Sequence, residues 1–429
     1  MTWRTTRLKY LAQIPITNGV GEPGAYDDPA WPRYIRTTDI AGPHSLRTDT
    51  FASLPPEVAS KAMLQQGDVL MTAAGATVGK SLTYNDPRAA CYAGYLVRFR
   101  ARPDVDRRFV AYWCESKPYW DQIATGKVVS TIDNFSASRY QNLRILLPPL
   151  TTQRAVADYL DRETPRIDAI LAAKQRLIDL LAEQREAFVA KVVRTGVALT
   201  HREDATSDAE IEWLGRTPSH WQVMPLKRVA DHDNSGAWGD DPGVLDVDLP
   251  VATTAQIDAD GEFLVMDMPV RSFRRADVTS YACKADQILV VKSSGSASNI
   301  ISGKAGLVRR STPAFIFSNF LLRLRPLSDT ILAEFLYSFL TSRITRERIK
   351  RMVSATTYPN LRVDEYMSSL VPVPPLDEQA NLVKELSDNW TRHLNMRQAQ
   401  VRSIDLLHER RQALITAAVT GELDIVEAA

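Results

Sequence analysis

One segment occurs twice, and it constrains what this chain can fold into. Leu147-Pro148-Pro149-Leu150-Thr151-Thr152-Gln153 returns as Val373-Pro374-Pro375-Leu376-Asp377-Glu378-Gln379. Downstream, Ile178-Asp179-Leu180-Leu181 returns as Ile404-Asp405-Leu406-Leu407, and Thr195-Gly196 returns as Thr420-Gly421. The offset is 226 from Leu150 to Leu376 and from Ile178 to Ile404, and 225 from Thr195 to Thr420, as a duplication with one deletion would leave it. The Pro-Pro step suits neither a helix interior nor an inner strand. Thr151 or Thr152 can then cap a helix beginning near Gln153. Pro165 suits the first turn of a second, longer helix that runs to about Val193. There Ile167, Ile170, Leu171, Leu177, Ile178, Leu181, Phe188, Val189 and Val192 fall three and four apart, with Glu, Arg, Gln and Lys on the other face. Gly196 is the left-handed stop. A repeat on this scale sets the architecture before any local pattern does.

The remaining residues read as a mixed α/β (α+β) protein with an internal repeat. Its 429 residues exceed one ordinary core. The boundaries are a globular unit at 1–146, a helical region at 147–196, a polar acidic linker at 197–219, a second globular unit at 220–370 and a second helical region at 371–429. In the first unit, Arg33 to Ile40 is a strand leaving into a polar turn. Gly67-Asp68-Val69-Leu70-Met71-Thr72 is a turn feeding a buried strand, with Gly75 and Gly79 marking a tight loop after it. Gly94 to Arg100 alternates as a strand, and Asp106 to Ile123 has helical spacing. The second unit repeats these features more weakly. Trp221 with Leu226-Lys227 answers Trp3 with Leu8-Lys9, and Val251-Ala252-Thr253-Thr254 stands where Ile35-Arg36-Thr37-Thr38 stands. Ala285-Asp286-Gln287-Ile288 is a degenerate Gly-Asp turn, Gly303-Lys304 echoes Gly79-Lys80, and a helix from Ile331 to Met352 echoes the earlier one.

Composition excludes several classes. No apolar run reaches the roughly 18 residues of a membrane span, and Met1-Thr2-Trp3-Arg4 opens no secretory signal. Cys91, Cys114 and Cys283 are scattered, which points to a reducing cytoplasm and away from a zinc site or a disulfide framework. A net charge of +1 means that any nucleic-acid face is local.

Catalytic motifs are weak. Ala74-Gly75-Ala76-Thr77-Val78-Gly79-Lys80-Ser81 is a relaxed phosphate-loop match, but Thr83-Tyr84-Asn85-Asp86-Pro87 is a poor helix where one must follow. A Gly turn that places Lys80 accounts for it better. Pro103-Asp104 with Glu115-Ser116-Lys117 is a loose nuclease pattern, yet its acids sit at the ends of a helix rather than of strands. Asp28-Pro29-Ala30-Trp31 lacks the Gly-rich turn that would hold S-adenosylmethionine, so it reads as a Pro turn. Asp231-His232-Asp233 has no second His nearby and reads as a solvated turn. Neither a catalytic residue nor a metal ligand is assigned. What remains is binding chemistry, and every residue of it taken alone is ordinary surface. Arg33 and Arg36 flank Thr37 and Thr38. Lys80 ends the Gly loop, and Lys127, Ser130, Thr131 and Asn134 make a polar loop suited to phosphates and base edges. The second half offers Thr253 and Thr254, then Lys292, Ser293, Ser294, Ser296 and Lys304, then Arg343, Arg346 and Lys350 along one helix face.

With its two Pro-Pro-Leu segments, their helices to Thr-Gly, and the Gly67-Asp68-Val69-Leu70…Gly75…Gly79-Lys80 loop, the chain resembles the specificity (S) subunit of a type I restriction–modification system. It departs at Thr151-Thr152, where Asp/Glu-Glu is usual, and at the Ala285-Asp286 turn. The resemblance implies two target-recognition domains separated by two long helices that pair as an antiparallel coiled coil. It implies that each domain reads one half of a bipartite, asymmetric double-stranded DNA site. Two methyltransferase subunits and the restriction/translocase subunits would dock on this chain, bringing S-adenosylmethionine, ATP and Mg, while this chain binds no cofactor, performs no chemistry and works in the cytoplasm. A helix of about 29 residues spans roughly 43 Å, enough to set readers about one DNA turn apart. Its seam is expected at Ile167, Ile170, Leu177, Leu181 and Phe188 against Leu394, Val401, Ile404, Leu407 and Leu414. Two other classes compete: a nuclease or ATPase using Lys80 or Glu115, and a helical scaffold that bridges proteins without touching DNA.

Overall fold

The structure is a computed structural model describing residues 3–126, 134–196, 213–258, 262–293, 295–296, 299–310, 312–353 and 360–425. The chain forms two compact units: residues 1–176 with 400–429, and residues 177–399. Each is therefore built from a globular part plus portions of both long helices.

In the first unit, strands β1 (Arg4–Arg7), β2 (Thr17–Asn18), β3 (Arg33–Ile35), β4 (Val69–Thr72), β5 (Ser81–Thr83), β6 (Ala90–Tyr92) and β7 (Leu96–Phe99) precede helices α1 (Arg107–Trp113), α2 (Lys117–Gly126) and α3 (Ala137–Asn142), and β8 (Arg144–Leu147) follows them. A four-stranded sheet has the order β2-β7-β4-β5, β3 pairs parallel with β6, and β1 pairs antiparallel with β8. Buried Val69, Met71, Val97 and Phe99 of this sheet pack on Phe109, Trp113, Tyr119 and Tyr140. The same core takes in Val156, Leu160, Ile415, Ala418, Val419 and Ile425.

The second unit repeats this topology. Its strands are β9 (Gln222–Pro225), β10 (Ala230–Asp233), β11 (Val247–Ala252), β12 (Val270–Phe273), β13 (Ile288–Val291), β14 (Ala305–Leu307), β15 (Ile316–Phe317), β16 (Leu321–Pro326) and β17 (Leu370–Val373), with helix α4 (Arg275–Tyr281) between β12 and β13. The sheet order β10-β16-β13-β14, the parallel pair β11/β15 and the antiparallel pair β9/β17 match the first unit, while β12 extends the sheet beside β11. Because Ile35 opposes Tyr92 and Ala252 opposes Phe317, the equivalent of Arg36 is Thr253, one residue away from the register read in the sequence. Both helical stretches also divide. Ser116 ends a turn on Trp113 O between α1 and α2, and Ser342 does the same on Phe339 O between α5 (Ala333–Thr341) and α6 (Arg343–Val353). In each case the serine Oγ also donates to that carbonyl, at 2.7 Å, so the break is built and buried.

The degenerate turn keeps its geometry. Gly67 has φ +90° and Asp286 has φ +65°, a left-handed conformation that an L side chain adopts at a cost. Asp68 caps this turn by accepting from Gln65 N, and Gln287 does the same from Lys284 N. Replacing Asp286 by glycine is expected to stabilise the second unit by about 0.5–1 kcal/mol, the strain relieved exceeding the entropy added to the unfolded chain. Urea unfolding checks this, and a lower midpoint would count against it.

The long helices are α7 (Leu150–Thr195) and α8 (Leu376–Thr420). Pro165 does not begin a second helix, as its position in the sequence had implied; it lies inside α7. Its ring faces solvent between buried Leu160 and Ile167, and Thr164 Oγ1 donates to Leu160 O at 2.8 Å beside the missing amide bond. The anchored flanks absorb an interruption that an isolated helix would not. Each long helix is docked by a buried glutamine. Gln153 donates to Pro148 O and accepts from Asp106 N; Gln379 donates to Pro374 O and accepts from Leu332 N. Gly421 ends α8 against the Trp3 ring, and Gly196 ends α7 against Trp221.

Within each unit the two long helices run antiparallel. In the first, Asp168 meets Arg411 and Lys174 meets Gln400; in the second, Arg185 stacks over Trp390 and Gly196 lies near Glu378. The seam differs in phase from the expected one. Ile167 and Leu181 are buried, and Phe188, Leu394, Ile404, Leu407 and Leu414 are half-buried. Ile170, Leu177 and Val401 are exposed, and the half-buried places fall to Leu171 and Ile178. Stepping 4-3-4-3 from Ile167 reaches Leu171, Lys174, Ile178, Leu181, Arg185 and Phe188, which is the heptad rhythm of paired helices. Ile170 and Leu177 sit one position before that line.

Candidate nucleic-acid interface

The Gly loop of the first unit is a turn between antiparallel strands. Thr72 N donates to Lys80 O, Gly79 N donates to Thr72 O, and β5 follows at once, so no helix N-terminus stands where a phosphate loop needs one. Gly75 and Gly79 have φ near +90°, and a Cβ on Gly79 would press on the Trp120 ring. The loop thereby holds Lys80 in solvent. The second unit makes the same turn, with Val291 N on Lys304 O and Gly303 N on Val291 O.

Around each turn the candidate residues divide into committed and open ones. Arg33 donates to Arg47 O and Thr50 O, and Arg36 is held bidentately by buried Asp39. Burial raises the Asp39 pKa, but the Arg36 bonds outweigh it and the carboxyl lies below its ordinary value. Thr37 is half-buried and Thr38 exposed beside this turn. Thr253 opens the equivalent turn, its Oγ1 accepting from Ala255 N, and Thr254 follows. Lys292 Nζ donates to Asn234 O, and burial lowers its pKa. Ser293 donates to Asn360 Oδ1, and Ser296 pairs through its backbone with Asn299. Arg346 is tied to Ser302 O and Ile300 O, so it braces the loop, whereas Arg343 and Lys350 are exposed, Lys350 beside Glu347. Asn134 is exposed and bridges to Ala74. Lys127, Ser130, Thr131 and Ser294 lie outside the described residues.

The loose nuclease pattern is not gathered. Asp104 pairs with Arg102, Lys117 with Asp121, and Glu115 with Arg411. Asp233 of the Asp-His-Asp segment pairs with Arg323 and Arg325. Asp28 Oδ1 accepts from Ala30 N, as a Pro turn requires. Among the described residues no group of three or more His, Cys, Asp or Glu is placed to hold a metal ion, and no helix is long and apolar enough to cross a membrane.

Sequence patterns miss one glycine in each unit. Val20 N donates to Tyr92 O, and Ala237 N donates to Phe317 O. Just before them, a Cβ on Gly19 would lie 2.0 Å from Tyr92 O, and one on Gly236 would lie 1.8 Å from Phe317 O. Backbone contact this close admits only glycine. The available signal is a glycine following each Leu-Lys pair, Leu8-Lys9 and Leu226-Lys227.

The family model described as "Type I restriction modification DNA specificity domain" matches residues 277–398. The chain is 20% identical over 356 residues to the Type I restriction enzyme EcoKI specificity subunit of Escherichia coli (strain K12), covering 81% of this chain and 72% of that one. It is 20% identical over 347 residues to the Type I restriction enzyme StySPI specificity subunit of Salmonella potsdam, with coverage of 81% and 72%. Its fold is similar to a chain solved in work on the structural basis of complex assembly and conformational transition of the type I R-M system, with a TM-score of 0.72, 16% identity and 98% of each chain covered. Two repeated units, each with the same sheet order and each docked on long helices by a buried glutamine, accompany this likeness, and over most of its length the chain is similar to type I restriction enzyme specificity subunits.

Proposed function

We propose that this chain is the DNA-recognition subunit of a type I restriction–modification complex. Residues 1–146 and 220–370 act as target-recognition domains, each reading one half of a bipartite, asymmetric double-stranded site. The helical regions at 147–196 and 371–429 act as the spacer between them. Two methyltransferase subunits and the restriction/translocase subunits are the partners. S-adenosylmethionine, ATP and Mg belong to those partners, and the assembly works in the cytoplasm. The chain itself chooses the site and does no chemistry. The observation that carries this reading is the repeat of one topology and one turn geometry in two units of differing surface residues. Two similar frames with separately varied side chains are suited to reading two unlike half-sites.

Within each domain the following residues are the proposed contacts. Lys80, Thr38, Asn134, Lys127, Ser130 and Thr131 serve the first half-site. Ser293, Ser294, Ser296, Lys304, Arg343 and Lys350 serve the second. Arg33, Arg36, Thr253, Lys292 and Arg346 support them from the frame, because their polar groups are engaged by the domain. Single-molecule methylation sequencing of genomic DNA, with and without the gene, tests the function. One two-part methyladenine motif with a fixed gap should disappear on deletion. Survival of every motif would refute the assignment.

A further inference from the structure

In each unit an aromatic residue immediately before a strand of the four-stranded sheet stands in solvent while its aromatic neighbours are buried. Tyr92 and Phe99 are buried in the first, and Phe317 in the second. Tyr95 is 67% exposed and Phe320 is 49% exposed. Both occupy the same place. Leu96 N closes a turn on Ala93 O at 2.9 Å, and Leu321 N closes the matching turn on Ser318 O at 3.1 Å. The aromatic residue is the third of the four in both turns. Its carbonyl is tied to the neighbouring strand end, by Ala73 N to Tyr95 O at 2.8 Å and by Lys292 N to Phe320 O at 2.9 Å. The backbone is therefore held while the ring stands in water.

A single exposed aromatic is ordinary. Two at one structural position, in units whose surfaces otherwise differ, call for a common cause. The surroundings indicate which. The residue after the tie, Ala74 or Ser293, bridges to Asn134 or Asn360. Both asparagines are exposed. On the other side, Asn18 Nδ2 donates to Gly94 O within the Tyr95 turn, and Lys292 Nζ donates to Asn234 O beside the Phe320 turn. A ring on a held backbone, with an exposed asparagine bridged to the adjoining strand end, matches the chemistry of base edges. The ring packs on a thymine methyl or an unstacked base face, and an asparagine amide can pair with adenine N6 and N7. A protein-binding surface would instead be expected to continue as a wider apolar patch.

We infer that Tyr95 and Phe320 are specificity-determining residues that contact bases, one in each half-site; the inference rests on the DNA-recognition reading above. The test is methylation sequencing of cells carrying the whole complex with Tyr95→Ala or Phe320→Ala in this chain, together with co-purification of the methyltransferase subunits. Tyr95→Ala should lower methylation of the wild-type motif about tenfold or relax one position of one half-site, leaving the other half intact. Phe320→Ala should affect only the opposite half. Because both rings are exposed, the variants should fold, and thermal unfolding within a few degrees of wild type verifies it. Unchanged motifs in both variants overturn the inference, as does loss of methylation accompanied by loss of the methyltransferase subunits, which would make these rings a protein contact. A wild-type chain that directs no two-part motif overturns the function itself, a result distinct from either.

Discussion

Inserting seven residues after Leu177 together with seven after Ala399 is expected to lengthen the unspecified gap of the methylated motif by about three base pairs and to leave both half-sites as they are. The two positions lie where one unit gives way to the other along α7 and α8. A heptad preserves the 4-3 stepping of Leu171, Lys174, Ile178 and Leu181, so the seam re-forms on either side. Seven residues add roughly 10 Å of helix at 1.5 Å each, and DNA rises about 3.4 Å per base pair. Inserting three or four residues in one helix alone turns the seam out of register and should reduce methylation instead. Methylation sequencing reads the outcome. An altered half-site with an unchanged gap would refute a spacer that acts as a ruler. The continuous α7, with 46 residues where about 29 were expected, leaves ample length for such a role.

Arg411→Ala is expected to destabilise the first unit by about 3–5 kcal/mol at neutral pH, the range for removing one partner of a buried ion pair. Glu115 sits in the break between α1 and α2, with its side chain only 7% exposed. Arg411 of α8 donates to it at 2.7 Å and also to Asp168 of α7 at 2.8 Å. His44 Nε2 lies 3.3 Å from the other Glu115 oxygen, within ion-pair range. Glu115 and Arg411 together thus join a strand loop, the helical break and both long helices. Burial raises the Glu115 pKa, but His44 and Arg411 together outweigh it and hold the carboxyl below its ordinary 4.5. A depressed acid stabilises the fold above its unfolded pKa, and that contribution is lost as pH falls through the folded value. Wild type should therefore weaken only below about pH 4.5 on this account. In Arg411→Ala the burial effect dominates and Glu115 takes up a proton at higher pH, so the deficit relative to wild type should shrink on acidification. Urea unfolding at pH 7 and pH 4.5 measures it. A deficit that is the same at both values would mean the charge is not its cause.

The duplicated Pro-Pro-Leu segments make the architecture legible, because a Pro-Pro step and a terminating glycine constrain the backbone wherever they occur. The motif's glutamine is visible in the sequence, but its task is not: Gln153 serves an amide at Asp106, far along the chain. The seam phase is equally hidden. Ile170-Leu171 and Leu177-Ile178 are adjacent apolar pairs, and periodicity cannot choose between neighbours when both are apolar. Pro165 misleads because a local penalty is read without the packing at Leu160 and Ile167 that offsets it. For the candidate interface, the arginines are conspicuous as charges, yet Arg33, Arg36 and Arg346 spend their donors on the domain's own oxygens. Tyr95 and Phe320 pass unnoticed because each precedes a strand and looks like part of it.

The first unit is completed by residues from the far end of the chain. Ile415, Ala418, Val419 and Ile425 belong to the core that contains Phe109 and Trp113. The second unit is uninterrupted, from 177 to 399. On the ribosome the usual order is therefore inverted, since domains ordinarily fold from the N-terminus as they emerge. The domain made first must wait with an open apolar face while the domain made second closes, and only the last stretch of α8 seals it. A premature stop late in the message would spare the second domain and strand the first, leaving a product whose exposed core invites aggregation or removal by proteases.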